Sequence, residues 1–143
     1  QLDIYTNDKS IVLKKFQPLD EINETLDKFI KSINKESKIK IVISDTTRVI
    51  TSCATEYPIG LEFKDSFLTT IKKNETYELN STFDLEVATG IKNNRNCYIK
   101  KVIANNEFFG FVMAVTEGFV SKSEKDMVNI VVSFIEQLMK NDI

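Results

Sequence analysis

Few side chains in this sequence could do chemistry. Asp84 and Glu86 stand two apart, the spacing that puts two carboxylates on one side of a strand. There they could serve as a general acid and base. Ser32 and Lys35 match a Ser-x-x-Lys nucleophile pattern, but at the ragged end of a helical stretch and without supporting motifs. Cys53 and Cys97 could each act as a redox switch if a depressed pKa exposed a thiolate. They are too far apart for a CxxC zinc or redox site. The chain has no histidine, which removes the usual base near neutral pH and the commonest metal ligand. Against each sharp reading stands a plainer one: a solvated strand edge, a chance match in a Lys-rich chain, and buried structural thiols. No catalytic residue, cofactor or metal is expected, and the chain reads as a non-enzyme.

Composition supports that class. The chain has 143 residues, 42% hydrophobic and 28% charged, with a formal net charge of -2. That length suits one domain with a sizeable core. Balanced charge argues against a free-standing nucleic-acid binder, which would cluster Lys and Arg to neutralise phosphates. Arg48 and Arg95 are the only arginines. No run of 18 apolar residues and no leader pattern is present, so a cytoplasmic protein that does not enter membranes is expected. The sequons at Asn23, Asn74 and Asn80 would matter only after export.

The elements that must position any site follow from periodicity. Residues 1–16 read as two short strands around Asn7-Asp8. The chain starts without Met and mid-pattern, so this segment reads as the tail of a longer unit. Pro18 opens a helix with Leu19, Ile22, Leu26, Phe29, Ile30 and Ile33 on one stripe. Residues 39–45 and 48–53 form two strands joined by a tight turn at Asp45-Thr46-Thr47. A loop with Pro58 precedes a short helix over 64–73. Residues 74–96 are polar and irregular. Strands follow over 97–104 and 107–116, hinged at Asn105-Asn106. The second is apolar on both faces and should be central. Ser121 and Glu124 form a capping box for the last helix. That helix is apolar on two sides, Met127, Val131, Phe134 and Leu138 on one and Val128, Val132, Ile135 and Met139 on the other. One side can meet its own sheet, and the other most simply meets a second subunit.

The order helix, hairpin, helix, irregular segment, hairpin, helix resembles a GAF-type sensor domain. Residues 41–51 resemble its first hairpin, and residues 102–112, with a turn, a bulky residue and Gly110, resemble its last. Leu2-Asp3-Ile4-Tyr5, then residues 11–16 and Pro18, resemble the closing strands of an AbrB-type swapped-hairpin DNA-binding domain. That junction is similar to a family of sporulation transcription regulators. The resemblance implies an α/β (α+β) fold: a GAF-like antiparallel sheet flanked by helices, the first and last forming an oligomerisation bundle. It divides the chain into residues 1–16, an AbrB-type remnant, and residues 17–143, a GAF-like regulatory domain.

It also implies a ligand site between one sheet face and the irregular segment with its short helix. The matching positions are Cys53, Thr55, Tyr57, Phe67, Phe83, Leu85, Val87 and Tyr98, with ordinary core packing as the competing account. The cyclic-nucleotide Asn-Lys-X-Asp-Glu pattern is absent, and without histidine so is a Cys-His chromophore pair. The oligomer interface is expected at Leu19, Ile22, Leu26, Phe29, Ile33, Met127, Val131, Phe134 and Leu138. The implied partners are a second copy (dimer or tetramer), an unidentified small molecule, and DNA only through a separate N-terminal domain. A purely structural dimerisation module and a thiol sensor are the rival functions.

Overall fold

The computed structural model describes residues 18–80 and 86–141, which form four helices and seven strands. The two strands expected in residues 1–16, with the domain boundary placed there, lie outside the described residues.

The first helical segment begins at α1 (Pro18–Glu21) and, after a turn at Ile22, continues as α2 (Asn23–Ser37). Its stripe buries Leu19, Leu26, Ile30 and Ile33. Lys38 closes it in the left-handed region, its N–H donating to Asn34 O at 2.8 Å. Next come β1 (Lys40–Ser44), β2 (Val49–Ser52), α3 (Asp65–Lys73), β3 (Thr76–Leu79), β4 (Glu86–Ala88), β5 (Ile91–Lys92), β6 (Asn96–Ala104), β7 (Glu107–Thr116) and α4 (Lys122–Asn141).

Five strands make one antiparallel sheet in the order β2-β1-β7-β6-β3. The strand apolar on both faces, β7, is central, as expected. Asn105 and Asn106 take φ of 54° and 62° in the hairpin turn. Segment 74–96 departs from expectation. It contains edge strand β3 and the separate β4–β5 ribbon. In β3 the alternation is only four residues long, with half-buried Tyr77 and buried Leu79 inward and Thr76 and Glu78 exposed, too short to stand out in a polar segment.

The sheet separates two cores. On one face α2 packs on β1 and β2, and α4 on β6 and β7. There Leu26, Ile30, Ile41, Ile43, Val112, Val128, Val131, Val132 and Ile135 form an aliphatic cluster. Fully burying each such side chain contributes about 1.5–3 kcal/mol. The capping box is present: Ser121 N–H donates to Glu124 Oε1 at 2.7 Å, and Glu124 N–H to Ser121 Oγ at 3.2 Å. The β6–β7 register shifts between Val102 and Ile103, and Glu136 of α4 accepts from the Ile103 N–H at 3.0 Å. On the other face, residues 53–64, α3 and the β4–β5 ribbon cover an aromatic core.

Gly110 ties the sheet together. It sits at φ 148°, where a Cβ would lie 2.0 Å from the Ser44 carbonyl oxygen. Only a residue without a side chain lets β7 approach the end of β1 this closely. No helix among the described residues is long and apolar enough to cross a membrane.

Candidate functional site

The aromatic face carries the most specific chemistry. Phe63 lies at its centre, with ring centroids 5.3 Å from Phe67, 5.1 Å from Phe111 and 6.3 Å from Tyr57. Phe111 stands on β7, Phe67 on α3, and Tyr57 and Phe63 on the loop between β2 and α3. That loop closes locally through Tyr57 N–H to Ala54 O and Leu61 N–H to Pro58 O, both at 3.1 Å.

Within this apolar wall sits a polar trio. The Tyr57 hydroxyl donates to Asn93 Oδ1 at 3.0 Å, and Cys97 Sγ lies 3.7 Å from the same oxygen. Asn93, 5% exposed, donates from its amide to Arg95 O at 2.8 Å and Asn80 O at 3.3 Å. Tyr57 is held from its neighbour as well, because Arg95 Nε meets Glu56 Oε2 at 2.7 Å. Burial would raise the Glu56 carboxyl, but hydrogen bonds from its own backbone and from Arg95 leave it below its usual value.

Burial, reinforced by Cys97, drives the Tyr57 phenol well above its usual range. Burial also pushes the Cys97 thiol up to about 12. Cys53 is raised too, chiefly by burial, and its thiol donates to Ile30 O at 3.5 Å. Both thiols therefore stay protonated near neutral pH, which opposes the thiol-sensor reading. A neutral phenol, amide and thiol in an aromatic wall can orient a small molecule by hydrogen bonds.

The structure divides the expected ligand residues. Tyr57, Phe67 and Val87 share the aromatic face. Tyr98 and Cys53 do not: they pack with the helix-side core, and the Tyr98 hydroxyl donates to Asn129 of α4 at 3.2 Å. Strand alternation is the reason, because Cys97 and Ile99 face the aromatic side and turn Tyr98 away. Thr55 is exposed, and Phe83 and Leu85 lie outside the described residues. Absent from the expected ligand set were Asn93 and Cys97, the latter considered only as a redox thiol. Asn93 sits in the polar run Asn-Asn-Arg-Asn, which reads as solvated loop, and only its burial marks it out.

The expected interface residues divide similarly. Leu19, Leu26, Ile33 and Val131 are buried in the chain's own core. Ile22, Phe29, Met127 and Leu138 are half-buried, and Phe134 is 36% exposed. The rings of Phe29 and Phe134 meet edge-on at 4.9 Å. Ile130, 53% exposed, extends this outer stripe. At 3.6 residues per turn Val131 rotates toward the sheet, and Ile130 stands in the outer row beside Phe134.

The other candidate chemistry disperses. Glu86 Oε1 meets Lys64 Nζ at 3.1 Å, and Glu86 Oε2 accepts from the Gly90 N–H. The Gly90 bond first, then Lys64, hold that carboxyl below its usual value and so ionised. Asp84 lies outside the described residues. Ser32 Oγ donates to Lys28 O at 2.9 Å on an exposed helix surface.

Two solved structures share this arrangement. The cofactor-binding GAF domain of the nutrient sensor CodY from Clostridium difficile aligns with a TM-score of 0.59 and 13% identity, over 86% of this chain and 96% of that one. The chain has a GAF fold. A GAF domain/HD domain protein from Geobacter sulfurreducens aligns with a TM-score of 0.55 and 15% identity, over 90% of this chain and 95% of that one. No family model and no curated protein matches the sequence. In this GAF-like fold the aromatic face is the one covered by α3 and segment 74–96.

Proposed function

We propose that this GAF domain is the regulatory and oligomerisation part of a sporulation transcription regulator of the stage V sporulation protein T kind. It holds a small ligand on its aromatic face, pairs with other copies through α2 and α4, and positions AbrB-type DNA-binding modules. DNA contact belongs to those modules, since the chain's own charge is balanced. The role is non-enzymatic and cytoplasmic.

The observation that carries this reading is the division of labour across one sheet. One face is covered by loops around a buried Tyr57–Asn93–Cys97 trio. The other is covered by two helices that still expose Ile130 and Phe134. A ligand would regulate by binding two arrangements unequally. The comparison protein described as a cofactor-binding nutrient sensor lends weight to the sensing half. A structural module without ligand is the second reading, favoured by the close stacking of Phe63, Phe67 and Phe111.

Sedimentation of an Ile130→Glu, Phe134→Glu variant tests the oligomer, since both side chains reach the surface and neither belongs to the buried core. A folded monomer is expected, and an oligomer like that of the parent chain overturns this half. Thermal-shift screening of metabolites against the parent and Asn93→Ala chains tests the sensing half. A shift in the parent that the variant loses supports it, and no shift with any compound favours the structural module.

A further inference from the structure

A cleft of about 430 Å³ opens between the first turn of α2 and the β1–β2 turn. It shares no residue with the Tyr57–Asn93–Cys97 trio. Asn23, Asp45, Arg48, Ile50 and Ile59 are among its walls.

Its polar groups are mismatched. Asp45 is only 4% exposed, yet all its carboxylate's donors fall on one oxygen. Oδ1 accepts from Thr47 N at 2.8 Å, Arg48 N at 2.9 Å and Thr47 Oγ1 at 3.4 Å. Among the described residues Oδ2 receives none. Across the cleft, Asn23 Oδ1 is buried without a hydrogen-bond partner. Both atoms are acceptors; of the two, Asn23 Oδ1 is the one buried without a partner, and a buried acceptor is normally satisfied. The nearby cation does not answer them, because Arg48 is turned outward onto Glu62 at 3.2 Å. The remaining wall is aliphatic, with Ile50 buried and Ile59 66% exposed at the mouth.

An occupant that completes this set needs several hydrogens to donate, a positive charge for the Asp45 carboxylate, and an apolar stem. We infer that the cleft binds small primary alkylammonium compounds, the ammonium donating to Asp45 Oδ2 and Asn23 Oδ1 and the stem lying along Ile50 and Ile59. Anionic ligands are disfavoured, since they would face a buried carboxylate and an unpaired carbonyl.

The test is an amide NMR titration of the 143-residue chain with n-butylammonium chloride, using 1-pentanol as an uncharged probe of similar length. Saturable shifts are expected at Thr47, Arg48 and Ile50, and pentanol should bind about tenfold more weakly or worse, as the loss of a charged hydrogen bond requires. Asp45→Asn keeps an oxygen for the turn while removing the charge, and should weaken n-butylammonium by a similar factor. Asn23→Leu, on a different element, removes the second acceptor and should also weaken binding. The proposal is overturned by unsaturable shifts, by equal responses to the two probes, or by unchanged binding in both variants.

Discussion

The two faces of the sheet solve different problems with the same strands. The helix face is largely aliphatic, and its few hydrogen-bonding side chains, such as Tyr98 and Thr51, pair with single partners on the helices, Asn129 and Asp27. Long amphipathic helices satisfy their own backbone, so that core needs only shape and volume. The loop face has no such cover. Residues 53–64 form no helix or strand; scattered backbone bonds such as Gly60 N–H to Val49 O and Phe63 N–H to Thr47 O hold them together with aromatic stacking and buried polar groups. The same sheet thus offers a platform specified by packing and a site specified by hydrogen bonds. A small molecule can compete for the second kind of bond and has little to offer the first.

Four experiments test that contrast, from the largest expected effect down. Gly110→Ala should damage both faces, since its Cβ would strike the Ser44 carbonyl at 2.0 Å. A loss above about 4 kcal/mol is expected, from close contact and positive φ together. Urea unfolding near the parent midpoint would contradict the tight β1–β7 approach.

Phe67→Ala should cost about 3–5 kcal/mol, and Ile30→Ala on the helix face about 2–5 kcal/mol. Hydrogen exchange distinguishes their reach. The Phe67 variant should release α3 and residues 53–64 before α4. Uniform acceleration would show that the faces open as one unit.

Asn93→Ala should cost about 1–3 kcal/mol, because it strands the buried Tyr57 hydroxyl. Tyr98→Phe, removing a hydroxyl on the other face, should cost less than about 1 kcal/mol. Equal losses in equilibrium unfolding would erase the distinction between the faces.

The smallest effect at neutral pH concerns Cys97. Its thiol titrates near 12 in the fold against an ordinary 9.0, so the fold favours the protonated form. Its contribution to stability is fully present below pH 9 and is lost as pH rises from 9 toward 12. Cys97→Ala should flatten part of that alkaline decline, with Tyr57 supplying the rest. An unchanged slope from pH 9 to 12 would remove the thiol from the account.

The parts of the fold legible in the residues are those with strong local rules. Asn105-Asn106 announces a hairpin turn, Ser121 and Glu124 a helix start, and the apolar run through β7 a central strand. Facing is harder to read. Alternation says that Cys97 and Tyr98 point opposite ways, but not which of them meets Phe67, because that depends on pairing with β7. Hence Tyr98 was expected at the ligand site and Cys97 was not. Val131 shows the same difficulty on a helix, where a small rotation separates core from surface. Asn93 was illegible for another reason: a buried amide and a solvated one have the same letter, and only its tertiary partners tell them apart.

The contact at Gly110 is made by main chain against main chain. It therefore prescribes one position and leaves the side chains around it free to change. An anchor of this kind fixes where two backbones meet and says nothing about the letters on either side of it. For this chain, the spacing between β1 and β7 serves as a fixed datum from which both faces can be re-specified independently.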